Sequence, residues 1–126
     1  MRTKSLVLAF LAPLTLLLTA CGDRDRQTID PLTGGDIQRG IAAISRYGCG
    51  TCHIIPGIPG AGGRAGPSLA GMGSRIYVAG MLPNTPPNMI RWLENPQAIN
   101  AKTVMPNMGV TPKDAADIAS YLYTLK

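Results

Sequence analysis

Apolar residues recur at helical spacing near both ends of the stretch from residue 36 to residue 126. Ile37, Ile41 and Ile44 stand at i, i+4 and i+7, one face of a helix. Asp36 precedes them as a cap and Gly48 follows as a stop, which predicts a first helix over 36–47. Ile118, Leu122 and Leu125 line one face of the clearest pattern, "TPKDAADIASYLYTLK". There Thr111 caps, Pro112 starts the helix, and Asp114 sits where the helix dipole favours negative charge. Between them, "TPPNMIRWLENP" predicts a helix with Thr85 as cap and Pro86 in the first turn; Pro96 ends it. The stretch "IIPGIPGAGGRAGPSLAGMGS" has neither period. A loop of that length in a compact domain usually lines a functional site. A short helical or irregular piece is expected at 75–80, and "NAKTVMPNMGV" reads as a loop. No stretch alternates as a strand does. The expected fold class is all-α, three to five helices with long loops.

The N-terminal pattern is different. Arg2 and Lys4 precede "LVLAFLAPLTLLLTA", an apolar run interrupted by Pro13. It is short for a membrane span, so a cleaved signal over 1–20 is expected. It ends in "LTAC", Leu18 to Cys21, which resembles the lipobox of bacterial lipoproteins. That resemblance implies a lipid on Cys21, a membrane-surface anchor without a spanning helix, and an extracytoplasmic or periplasmic location. Residues 21–35 are polar, with paired charges, Pro31 and two glycines at 34 and 35, and read as a lipidated tether. The folded domain is expected over 36–126.

Charge adds little. The chain has 12 basic and 7 acidic residues; without Arg2 and Lys4 the net charge is +3. This mild excess does not suggest nucleic acid. From Ile37 to Lys113 the only glutamate is Glu94, against Arg39, Arg46, Arg64, Arg75, Arg91, Lys102 and Lys113. These residues make either a solvated surface or a weakly basic docking face for an acidic partner, which would speed encounter more than tighten binding. Composition matters more. Phe10 lies in the expected signal, leaving Trp92 and four tyrosines, among 15 glycines and 11 prolines. A domain of about ninety residues so built buries little apolar surface alone. A large apolar cofactor would fill that gap.

The stretch "YGCGTCHIIPG" holds the candidate chemistry: Cys49, Cys52 and the chain's single histidine, His53. A dithiol redox pair usually sits near a β-α-β pattern, which is missing. Structural zinc wants four closed ligands, and Cys21 is assigned to lipid with no second histidine present. Cys-x-x-Cys-His is the attachment signature of c-type haem. Residues three and four apart share a helical face, so both sulfurs reach the two vinyl groups on one side of a porphyrin while His53 lies beneath the iron. This assignment leaves no loose thiol. For the second axial position bis-histidine ligation is excluded. Methionine is the next candidate, from Met72, Met81, Met89, Met105 and Met108. Met89 on its helix reads as core filler, and Met72 and Met81 could simply pack on the haem. Met105 sits in a proline-bounded loop that could hang its side chain opposite His53. Met108 lies three residues on in the same loop.

From Gly40 onward the pieces "CGTCH", "GPSL", "NMIRWLENPQ", "TVMPNMG" and "DIASYLYTL" occur in order. The set resembles a class I cytochrome c, especially the small membrane-attached cytochromes and the cytochrome domains fused to oxidase subunits of bacterial respiratory chains. The resemblance implies a class I cytochrome c fold wrapped around one covalent haem c. It implies Met105, of the Met-Pro element, as distal ligand, with Met108 as runner-up. It implies that Pro67 packs by the proximal ring, its carbonyl orienting His53, and that Trp92 contacts a haem propionate; a plain core aromatic is the alternative for Trp92. It implies that the first and last helices cross, with Gly40 allowing close approach. The family often has an aromatic on the first helix at that crossing, where this chain has Ile44 opposite Tyr121 or Leu122.

The expected function is therefore a monomeric, lipid-anchored electron carrier, not an enzyme. It would take electrons from an upstream donor complex and pass them singly to a terminal cytochrome c oxidase. A cytochrome subunit of a periplasmic dehydrogenase complex is the nearest rival. Dihaem peroxidases need a second Cys-x-x-Cys-His, and this chain has one. Gas-binding four-helix cytochromes carry the motif near the C-terminus, whereas Cys49 opens this domain.

Overall fold

Helix α1, Ile37–Arg46, forms on the predicted apolar face, burying Gly40, Ala43 and Ile44. The Asp36 carboxylate accepts the Arg39 N–H at 2.8 Å, satisfying a donor left open by the first turn. Gly48, at φ 68°, takes the left-handed conformation that stops the helix. This is a computed structural model, and it describes residues 30–126. The expected signal, Cys21 and the first part of the tether lie outside the described residues.

Helix α2 spans Pro86–Glu94, α3 Pro96–Ile99 and α4 Pro112–Thr124. Two details differ from the sequence reading. Thr85 occupies the cap position of α2 without a side-chain capping bond, and Pro86 and Pro87 leave two fewer N–H groups for a cap to satisfy. Pro96 ends α2 and also opens α3, whose first turn is capped by the Asn95 side chain accepting from Ala98 N–H at 3.2 Å. Thr111 does cap α4, accepting from Asp114 N–H at 3.2 Å.

The expectation of no strands needs correcting. Strands β1 (Tyr77–Val78) and β2 (Leu82–Pro83) pair antiparallel, Tyr77 opposite Pro83 and Val78 opposite Leu82. Two residues are too few to show an alternation, so no sequence pattern announces them. The expected irregular piece at 75–80 is mostly this hairpin, with a single 3-10 turn at Met72–Ser74 before it. The architecture is otherwise all-α, and among the described residues no helix is long and apolar enough to cross a membrane.

Helices α1 and α4 cross at Gly40. A Cβ there would stand 2.1 Å from the Asp117 carbonyl oxygen, so only glycine permits the approach. Beside the crossing, Asp117 is 1% exposed. It accepts from Asp36 N–H at 2.8 Å, from the Arg39 guanidinium at 2.8 and 2.9 Å, and from the Lys113 ammonium at 3.0 Å. A second clasp joins the same helices. Asp114 accepts from the Tyr47 hydroxyl at 2.8 Å and pairs with Arg46 at 3.0 Å; the Tyr47 bond leads in holding its carboxyl below the usual range.

Residues 30–36 form a strap on α4. Thr33 and Ser120 share a hydrogen bond between hydroxyls, and Gly35 lies so close that a Cβ would stand 2.2 Å from the Ala116 carbonyl oxygen. The strap thus belongs to the packed domain, whereas composition alone places its first residues in the tether. On the other side of α4, Ile118 and Leu122 are buried with Ile44, Met89 and Val78. Tyr121 turns towards the glycine-rich loop, its hydroxyl donating to the Pro56 carbonyl.

Candidate haem site

The end of α1 delivers the motif. Directly after Gly48 the chain turns through a 3-10 helix, Cys49–Thr51, and His53 N–H donates to Cys49 C=O at 3.0 Å. This continuous winding brings Cys49, Cys52 and His53 to one wall of a cavity of about 350 Å3. Cys49 and Cys52 form no disulfide with each other. Burial pushes the Cys49 thiol above its ordinary range, opposite to the lowered thiol that a redox dithiol needs.

His53 is held by the glycine-rich loop. Its Nδ1 lies 2.7 Å from the Pro67 carbonyl oxygen. A carbonyl only accepts, so Nδ1 carries the proton and Nε2 keeps its lone pair for a metal. Gly66 N–H donates to Cys52 C=O at 2.8 Å, which draws the loop onto the motif. A Cβ at Gly66 would stand 2.4 Å from His53 Cε1, so the loop packs on the imidazole only because residue 66 is glycine. The sequence reading found Pro67 and missed Gly66, one of several glycines in a run that gives no sign of which one touches the ring.

The remaining walls are mostly apolar. Ile44, Ile118 and Leu122 come from α1 and α4, and Met89, Trp92 and Leu93 from α2. Met105 and Pro106 come from the loop before α4. Of the candidate methionines, Met72, Met89 and Met105 line the cavity. Met72 and Met89 are buried within the core cluster, and Met105 is half-buried on its loop. Met81 and Met108 are 51% and 42% exposed and stand outside the lining. Trp92 is half-buried on the wall.

Two polar details were not legible in the sequence. Arg75 is the one arginine or lysine of the lining, and its guanidinium donates to the Ser68 and Ala70 carbonyls at 2.6 and 3.0 Å. It appears in the sequence only as one of several surface charges. Asn84 anchors that loop, donating to the Met72 and Arg75 carbonyls at 2.8 and 2.9 Å while accepting from the Tyr123 hydroxyl at 2.9 Å.

The donor set fits a covalently attached haem. Two thiols and an imidazole with a free Nε2 share one wall, a thioether stands in a loop, apolar side chains enclose the space, and one fixed cation suits the carboxylates that a haem carries at one edge. Fold and site together define a c-type haem protein of the all-α class. The profile of the family described as Cytochrome c matches residues 37–126, and the chain belongs to that family. It is a class I c-type cytochrome, built to transfer electrons through covalently bound haem c. Among characterised proteins it is similar to the cytochrome c oxidase subunit 2 of Alkalihalophilus pseudofirmus, 30% identical over 89 residues. The match covers 70% of this chain and 25% of that protein, so the chain spans about a quarter of that relative's length. No solved structure matches the chain.

Proposed function

We propose that the chain carries one haem, joined to Cys49 and Cys52, with His53 and Met105 as axial ligands. It passes single electrons to a terminal cytochrome c oxidase. The observation that supports this most is the set of donors around a single apolar cavity: the Cys-x-x-Cys-His wall, and a loop methionine on the lining. The similarity to an oxidase subunit favours the oxidase as acceptor over a dehydrogenase complex. The upstream donor is a second redox protein. The signal over 1–20 and the "LTAC" element support export and a lipid on Cys21, which would hold the carrier at the extracytoplasmic face of a bacterial membrane.

When bound, the haem supplies an iron that changes valence by one electron. The chain's own residues keep that change small. The Pro67 carbonyl fixes the His53 tautomer and ring, so Nε2 needs no rearrangement. Met105 supplies a soft thioether, and methionine with histidine raises the reduction potential. Ile44, Ile118 and Leu122 exclude water from the wall. Arg75 offers a fixed positive charge to the carboxylate edge. No residue is required to make or break a substrate bond, so the reading is a carrier and not an enzyme.

The test is the optical spectrum of the oxidised, haem-loaded protein beside Met105→Ala. A weak far-red sulfur-to-iron band is expected in the parent and lost in the variant. Survival of the band would move the ligand to Met108, Met72 or Met89. For the partner, the reduced protein is mixed with membranes containing a terminal oxidase. Cyanide-sensitive reoxidation is expected, and its absence would favour the dehydrogenase subunit.

A further inference from the structure

The loop that carries Met105 is thinly held. Met105 N–H donates to the Thr103 hydroxyl at 3.2 Å, and Gly109 N–H to the Asn107 side chain at 2.9 Å, both within the loop. Among the described residues, one hydrogen bond ties residues 104–109 to another element: Gln97 Nε2 donates to the Met105 carbonyl at 3.0 Å. Gln97 is in turn well aimed. It lies on α3, where Pro96 is buried and the Asn95 side chain caps the turn. Asn100 continues the framework, its carbonyl accepting from Thr103 N–H at 3.0 Å and its side chain from Lys102 N–H at 3.0 Å. Both backbone polar groups of Met105 are therefore engaged, the N–H by Thr103 and the C=O by Gln97. Rotation of the peptide on either side of residue 105 must break one of them.

We infer that Gln97 is a positioning residue that keeps the Met105 thioether on the iron by clipping the distal loop to α3. The inference rests on Met105 as axial ligand. Gln97 itself stands outside the cavity lining. It acts by raising the free energy of the swung-out loop, in which its bond to the Met105 carbonyl is lost. Such a bond on an exposed surface contributes about 0.5–1.5 kcal/mol, so its removal favours displacement of the thioether by about two- to twelvefold.

The experiment uses the haem-loaded full chain and imidazole, which competes for the distal position. Imidazole binding to the oxidised protein is titrated optically for the parent, for Gln97→Leu and for Gln97→Glu. The first variant lacks a donor, and the second keeps the shape while offering only acceptors at neutral pH. Gln97→Arg, which restores N–H donors, is the rescue. Global unfolding in urea is measured on each. The expected result is imidazole binding tightened about two- to twelvefold in both Gln97→Leu and Gln97→Glu, recovery towards the parent in Gln97→Arg, and an unfolding midpoint close to the parent's throughout. Unchanged imidazole affinity, in a parent that shows the far-red band, overturns the role of Gln97 and leaves Met105 standing. A change that tracks the unfolding midpoint, without rescue, makes Gln97 merely structural and also overturns the inference. A parent without the band removes the Met105 reading and the clip with it.

Discussion

Asp117 carries a full charge in the seam between α1 and α4 and is 1% exposed. Burial alone would push its pKa up. The Arg39 guanidinium, then the Lys113 ammonium and the Asp36 N–H, outweigh that and bring it down to about 2. An unfolded aspartate titrates near 3.9. The folded chain thus binds this proton less readily than the unfolded one. The stabilisation is complete above pH about 4 and is lost as pH falls from about 4 towards about 2. Asp117→Asn is expected to lower stability at pH 7 by up to about 2.5 kcal/mol, the free-energy equivalent of that pKa difference, because Arg39 and Lys113 lose their charged partner. Denaturant unfolding checks both parts: the gap between parent and variant should shrink through that acid range, and a constant gap would assign the loss to packing. Nothing in the sequence marks Asp117. Its partners Arg39 and Asp36 lie 78 and 81 residues earlier, and only the helix crossing brings them together. Cys49, Cys52 and His53 were legible because their chemistry is local, written within five consecutive residues.

At the scale of elements, the long helices were legible and the short pieces were not. The faces of α1 and α4 repeat often enough to be read, and Ile44, Ile118 and Leu122 are buried as their spacing predicts. A four-residue helix and two-residue strands hold no full period, so α3, β1 and β2 emerge only from tertiary contacts. The crossing of α1 and α4 was legible through Gly40. Its consequence is measurable. Gly40→Ala places a methyl 2.1 Å from a backbone oxygen, so the helices must part. Overpacking of this kind costs about 1–3 kcal/mol, and the expected outcome is a lower urea midpoint with the helical content kept. A variant as stable as the parent would mean that the crossing is looser than described.

Across the whole molecule, the core and the haem site share their residues. Ile44, Met89, Ile118 and Leu122 belong to the hydrophobic core and also line the cavity. The sequence hinted at this through its scarcity of aromatics and abundance of glycine and proline. It held no sign of which side chains serve both roles, since that depends on how four helices meet. At about 24 cal/mol per Å3 for an enclosed cavity, leaving a space of about 350 Å3 unfilled costs on the order of 8 kcal/mol, and less where water enters. Whole domains have only about 5–15 kcal/mol. The chain made without haem, as Cys49→Ser with Cys52→Ser, is therefore expected to lose its cooperative thermal transition in circular dichroism. A sharp melt in that variant would show that the helices hold themselves. The strap has a separate, mechanical consequence. At about 100° per residue, Ala116 and Ser120 face away from Ile118 and Leu122, so the strap grips the outer side of α4 while the haem cavity adjoins the inner side. A tension applied from the N-terminal direction enters the fold as shear along that outer side. Helix α4 takes that load at the strap, before it reaches α1 and the wall of Cys49, Cys52 and His53 that α1 delivers.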